Sequence, residues 1–80
     1  MEEKIEFPRL NRIAFVLEKQ GRSQRWLAKQ IGISHIAMNN ICTQRSQPSL
    51  GRLFDISQIL GVSISEIINV DYKPPIKSKE

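Results

Sequence analysis

The sequence predicts an all-α domain, and three observations carry that prediction. Apolar residues recur at spacings of three and four in five successive segments, the mark of one buried face on an α-helix. Four of the five segments open with a serine that stands one or two residues after a proline or a glycine, the order of residues in which one helix stops and the next begins. No stretch of length alternates apolar and polar residues at period two, so no sheet is expected. The chain of 80 residues allows one domain, and its single cysteine cannot cross-link it, so the fold must rest on core packing.

Each element follows from its own residues. Leu10, Ile13, Ala14 and Leu17 fall at i, i+3, i+4 and i+7. The first helix is expected to bury that face, with Pro8 before or inside its first turn and Gly21 ending it. Ser23 caps a second helix over residues 24–31, with Leu27, Ala28 and Ile31 as its stripe and Gly32 at its end. Ser34 caps a third over residues 35–43, which sets Ala37, Met38 and Ile41 on one side. Residues 44–49, Gln-Arg-Ser-Gln-Pro-Ser, read as a polar loop. Ser49 opens a fourth helix that offers Leu50, Leu53, Phe54, Ile56, Ser57 and Leu60 to the core before Gly61 stops it. Ser63 opens a fifth with Ile64, Ile67 and Ile68. The expected organisation is an N-terminal arm over 1–8, one helical domain over 9–70 and a flexible tail over 71–80, where Pro74, Pro75 and three lysines gather.

The net charge of +4 is unevenly placed. Residues 9–52 carry Arg9, Arg12, Lys19, Arg22, Arg25, Lys29, Arg45 and Arg52 against Glu18 alone, a net of +7, while the segments on either side are mildly acidic. A segment of one sign favours a polyanionic partner. The longest apolar run, Ile13 to Leu17, falls far short of the ~20 residues that cross a bilayer. The acidic start, Glu2, Glu3 and Glu6, does not read as a secretory leader. A reducing cytoplasm, at the nucleoid, is the expected setting, with no membrane partner.

The second and third segments form the unit of interest. Two short helices joined by Gly32-Ile33-Ser34 make a helix-turn-helix, in which the glycine supplies the left-handed angle of the turn and Ile33 fills the corner. The outer face of the third helix carries His35, Ile36, Asn39, Asn40 and Thr43. Amides and an imidazole offer donors and acceptors to base edges, asparagine pairs with adenine through two bonds, and an exposed isoleucine suits a thymine methyl.

The order Ser23-Gln24-x-x-Leu27-Ala28-x-x-Ile31-Gly32-Ile33-Ser34, then Ala37-Met38 and Ile41, Gln47-Pro48-Ser49-Leu50 and Leu60-Gly61-Val62-Ser63, resembles the Cro- and lambda-repressor-like, or xenobiotic-response-element, helix-turn-helix family over roughly residues 9–70. The resemblance implies a compact five-helix bundle that binds double-stranded DNA in a sequence-specific way, with the helix over 35–43 entering the major groove. It also implies a backbone contact from Gln24, whose place in a first helical turn suits an anion. The chain departs from the family at Trp26, where a charged residue is common, and at Thr43-Gln44-Arg45, where an acidic residue and a glycine are common.

These readings assign His35, Ile36, Asn39 and Asn40 to bases, and Gln24, Arg25, Thr43, Arg45 and Ser46 to phosphates. Trp26 and Cys42 read as packing residues. No metal or other cofactor is expected, because His35 and Cys42 lie seven residues apart, ~10.5 Å along a helix, and no further His or Cys exists. No catalytic set is present: there is no second histidine to activate the cysteine, no paired carboxylate in the central segment and no glycine-rich phosphate loop. The expectation is a transcriptional regulator that is not an enzyme, has no small-molecule effector domain and acts as a homodimer through the isoleucine-rich end, Ile64, Ile67, Ile68 and Val70. A protein-interaction module, such as an antitoxin-like partner with secondary DNA binding, is the alternative. Scarce aromatic platforms argue against RNA.

Overall fold

The computed structural model describes residues 7–74, which form five helices: α1 Ile13–Gln20, α2 Gln24–Ile31, α3 His35–Cys42, α4 Leu50–Leu60 and α5 Ile64–Ile67. The serines act as the sequence predicts. The hydroxyl oxygens of Ser23, Ser34 and Ser49 accept from the backbone N–H groups of Trp26, Ala37 and Arg52 at 2.9, 3.0 and 3.1 Å. The Ser63 N–H instead donates to Glu66 Oε2 at 3.2 Å, half of a capping box. The tight reversal between α2 and α3 needs a left-handed residue, and Gly32 supplies it at φ 77°.

Each helix sends one fully buried side chain to the centre: Ile13, Leu27, Met38, Ile56 and Ile67. Burial of such a side chain contributes ~1.5–3 kcal/mol relative to exposure. Val16, Leu17, Ala28, Ile41, Cys42 and Leu60 complete the cluster, with Trp26, Ile31 and Ile33 packed against it. α3 packs mainly on α2, and α4 bridges α2 and α5. The outer side of α3 is left uncovered.

The structure corrects the sequence reading at four points. α1 begins at Ile13, not near Pro8, because residues 10–12 are already paired elsewhere. The Arg12 N–H donates to Ile67 O at 2.8 Å, the Asn69 N–H donates to Leu10 O at 2.9 Å, and Asn11 forms an isolated antiparallel bridge with Ile68. The buried stripe of α1 is therefore Ile13, Val16 and Leu17, and Ala14 is exposed. α3 stops at Cys42, with Thr43 as its cap. Leu50 and Phe54, expected in the core, are 67% and 52% exposed, since α4 turns its Leu53–Ile56–Ser57–Leu60 side inward. Finally, Ile67 is wholly buried, so of the four residues expected at a dimer face only Ile64, Ile68 and Val70 keep accessible surface.

Residues 71–74 of the expected tail continue from a turn at Asn69, whose Oδ1 accepts from the Asp71 N–H and whose carbonyl accepts from the Tyr72 N–H. Most of the expected arm (1–6) and most of the expected tail (75–80) lie outside the described residues.

Candidate nucleic-acid interface

α3 is eight residues long, and its two sides differ in kind. Met38, Ile41 and Cys42 are buried against the bundle. His35, Ile36 and Asn39 are exposed, and Asn40 is half-buried. Ile36 keeps 74% of its surface accessible, the highest value among the large apolar residues described. An isoleucine so placed contributes little to the fold and presents a β-branched apolar surface beside two amides and an imidazole.

Gln24 and Asn39 meet across the helix-turn-helix. Asn39 Nδ2 donates to Gln24 Oε1 at 3.2 Å. The bond engages one donor of Asn39 and the acceptor of Gln24. Asn39 Oδ1 and the Nε2 donors of Gln24 remain for a ligand, an acceptor on the expected base-reading residue and donors on the expected phosphate-binding one. Arg25 is exposed next to Gln24.

The other expected phosphate residues lie just beyond α3. Thr43 is exposed, but its hydroxyl hydrogen goes to Asn39 O at 2.8 Å, so donation to a phosphate requires that hydroxyl to turn. Arg45 and Ser46 are also exposed. Both of their backbone N–H groups donate to Asn40 O, at 2.8 and 3.2 Å, which leaves their side chains to reach outward.

The cations of the central segment divide into two sets. Arg12 lies over the Phe15 ring at 4.6 Å, with Lys19 at 5.8 Å from the same ring, and Arg22 stacks on Trp26 at 4.1 Å. Arg52 Nη1 donates to Ile31 O at 3.1 Å and so satisfies the end of α2. Arg9, Arg25, Lys29 and Arg45, exposed like Arg12, Lys19 and Arg22, lie over no aromatic ring among the described residues.

Sequence reasoning missed a set of amides behind the 44–47 loop. Gln44, read as part of a solvated loop, is buried and accepts from the Leu10 and Asn11 N–H groups at 3.0 and 3.3 Å. Asn11 is buried too, and its Oδ1 accepts from the Ile13 N–H at 3.1 Å. An asparagine two residues before the first buried isoleucine was the available signal, since it marks a helix start.

This architecture defines a class: a five-helix helix-turn-helix domain whose second helix of the pair buries an apolar side and turns a mixed side, amides, an imidazole and Ile36, outward. The helix-turn-helix family matches residues 13–67, and the chain belongs to that family, in its Cro- and lambda-repressor-like branch. It is similar to the HTH-type transcriptional regulator PuuR of Escherichia coli and to that of Shigella flexneri, each 30% identical over 63 residues. Those matches cover 79% of this chain and 34% of each relative, so the chain spans about a third of the length of the curated relatives it matches. Among solved structures, a candidate DNA-binding protein from Bacteroides fragilis is 42% identical with a TM-score of 0.73, over 75% of this chain and 97% of the other. Among the described residues, no helix is long and apolar enough to cross a membrane.

Proposed function

We propose that the chain is a sequence-specific, double-stranded-DNA-binding domain of a transcriptional regulator, with α3 seated in the major groove. The observation that carries this reading is the outer face of α3, where His35, Ile36 and Asn39 are exposed and Asn40 is half-buried, beside Gln24. Those four read bases, with Ile36 on a thymine methyl and the asparagines on adenine edges. Gln24, Arg25, Thr43, Arg45 and Ser46 bind phosphates on the two flanks. Two copies bind as a two-fold dimer, with recognition helices ~34 Å apart, joined near Ile64, Ile68 and Val70. The relatives' description as transcriptional regulators supports the same reading.

Selection from a pool of random duplexes, followed by titration at several salt concentrations, tests it. An enriched motif and a linear fall of log affinity with log salt are expected. Asn40→Ala should cost ~1–3 kcal/mol at one base position and relax specificity there, whereas Arg45→Ala should weaken all sequences alike and lower the salt slope. A pool that yields no motif and no salt dependence overturns DNA binding in favour of the protein-interaction reading.

A further inference from the structure

Gln44 has φ 72°, a left-handed backbone that glycine adopts freely and that strains other residues, and it is the one non-glycine described that does so. Its side chain is nonetheless buried and fully engaged. Besides the two N–H groups that Oε1 accepts, its Nε2 donates to Asn11 O at 2.9 Å. Asn11 Nδ2 donates to Ile41 O at 3.0 Å and to Gln47 Oε1 at 2.8 Å, and Gln47 Nε2 returns a bond to Gln44 Oε1 at 3.1 Å. No buried side-chain polar atom among the described residues lacks a partner. Three amides thus tie residues 10–11 to the end of α3 and to the far side of the loop, and the two exposed residues Arg45 and Ser46 lie between the tie points. On its other side the 10–12 segment is fixed to the end of α5, through Ile67 and Asn69.

A glycine at 44 would make this turn without strain, so a glutamine there is accounted for by what its side chain holds. We propose that Gln44 and Asn11 are positioning residues: they hold the 45–46 loop in the one shape that lets the Arg45 side chain meet a DNA phosphate. The inference rests on the phosphate reading of Arg45 above. It adds that the reach of Arg45 depends on an amide clamp anchored more than thirty residues away, on the segment before α1.

The test is a double-mutant cycle on a labelled mixed-sequence duplex, titrated between roughly 50 and 200 mM salt. Gln44→Gly keeps the turn and removes the clamp. It should weaken binding about tenfold and lower the salt slope by ~0.9, the share of one phosphate, as Arg45→Ala does. Added to Gln44→Gly, Arg45→Ala should then cost less than about twofold more. Gln47→Ala, at an exposed residue whose amide makes two bonds of the clamp, should act in the same direction by a smaller factor, and it decides the matter if Gln44→Gly does not fold. If both clamp variants bind as the wild type does while Arg45→Ala weakens binding, the positioning role is overturned and the phosphate contact stands. If Arg45→Ala leaves affinity and slope unchanged, the phosphate reading falls and the positioning role falls with it.

Discussion

Ile36 offers the sharpest separation of binding from folding. Full burial of an isoleucine stabilises by ~1.5–3 kcal/mol relative to exposure. With 74% of its surface accessible, about a quarter of that is realised within the fold, and ~1–2 kcal/mol remains for a partner to bury. Ile36→Ala therefore removes ~0.4–0.8 kcal/mol of packing, and the better helix propensity of alanine returns a few tenths. Thermal unfolding should shift by less than about 4 °C. Binding to the selected duplex should weaken about five- to thirtyfold. The contact itself can be read by replacing each thymine of the site in turn with uracil, which removes only the methyl group. At the contacted base, uracil should weaken the wild type and leave Ile36→Ala unaffected, the signature of one shared interaction in a double-mutant cycle. Uracil effects equal in both proteins at every position, or absent from the wild type, would refute the assignment of Ile36 to a thymine methyl.

Two further predictions concern the frame that presents this face. Ser34→Ala leaves the Ala37 N–H without its acceptor at the start of α3, which should cost ~1 kcal/mol and lower the unfolding midpoint by ~4–8 °C, measured by circular dichroism. Burial pushes the Cys42 thiol up to about 11 from an ordinary value of 9.0, because the thiolate would lose its water. The neutral thiol is favoured in the fold, so its contribution is intact below pH 9, where both states hold the proton, and is lost as pH rises toward 11 and only the unfolded chain ionises. Denaturant titrations should show the wild type losing up to ~2–3 kcal/mol more than Cys42→Ala across that interval, and parallel curves for the two proteins would contradict the thiol's role.

The helices were legible because their causes are local. A serine, a following turn of helix and a glycine lie within a dozen residues of one another, and the period of Leu27, Ala28 and Ile31 needs no partner to be seen. The outward side of α3 was legible for the same reason, since burying Met38 and Ile41 fixes where Ile36 and Asn39 must point. What failed depended on contacts distant in sequence. Periodicity admits Leu10 to α1, but the backbone of residues 10–12 is claimed by Ile67 and Asn69. α4 has more apolar residues than its neighbours cover, and composition cannot say that Phe54 falls outside the covered side. Gln44 lies in a stretch that reads as a polar loop and Asn11 is a polar residue off the apolar stripe of the expected first helix, and their burial follows only from their meeting each other.

The charge of residues 9–52 changes meaning once each cation is located. Arg12 and Lys19 flank Phe15, Arg22 covers Trp26, and Arg52 closes the end of α2. All four add to the long-range positive field of the segment. The ring contacts engage the cations' faces and the Ile31 carbonyl takes one Arg52 Nη1 hydrogen, so N–H donors remain on all four, and a phosphate geometry that lifts a cation off its ring forfeits ~0.5–1 kcal/mol. The Trp26 departure from the family pattern is consistent with this division, since the ring that replaces a charged side chain binds a neighbouring arginine on the protein. The proposed function gives attraction and grip to different residues. On the proposed reading the whole segment supplies the first, and Gln24, Arg25, Thr43, Arg45 and Ser46, on either flank of α3, supply the second. On that assignment the salt slope should count fewer phosphates than the eight cations of the segment, and a slope that counts all eight would overturn it.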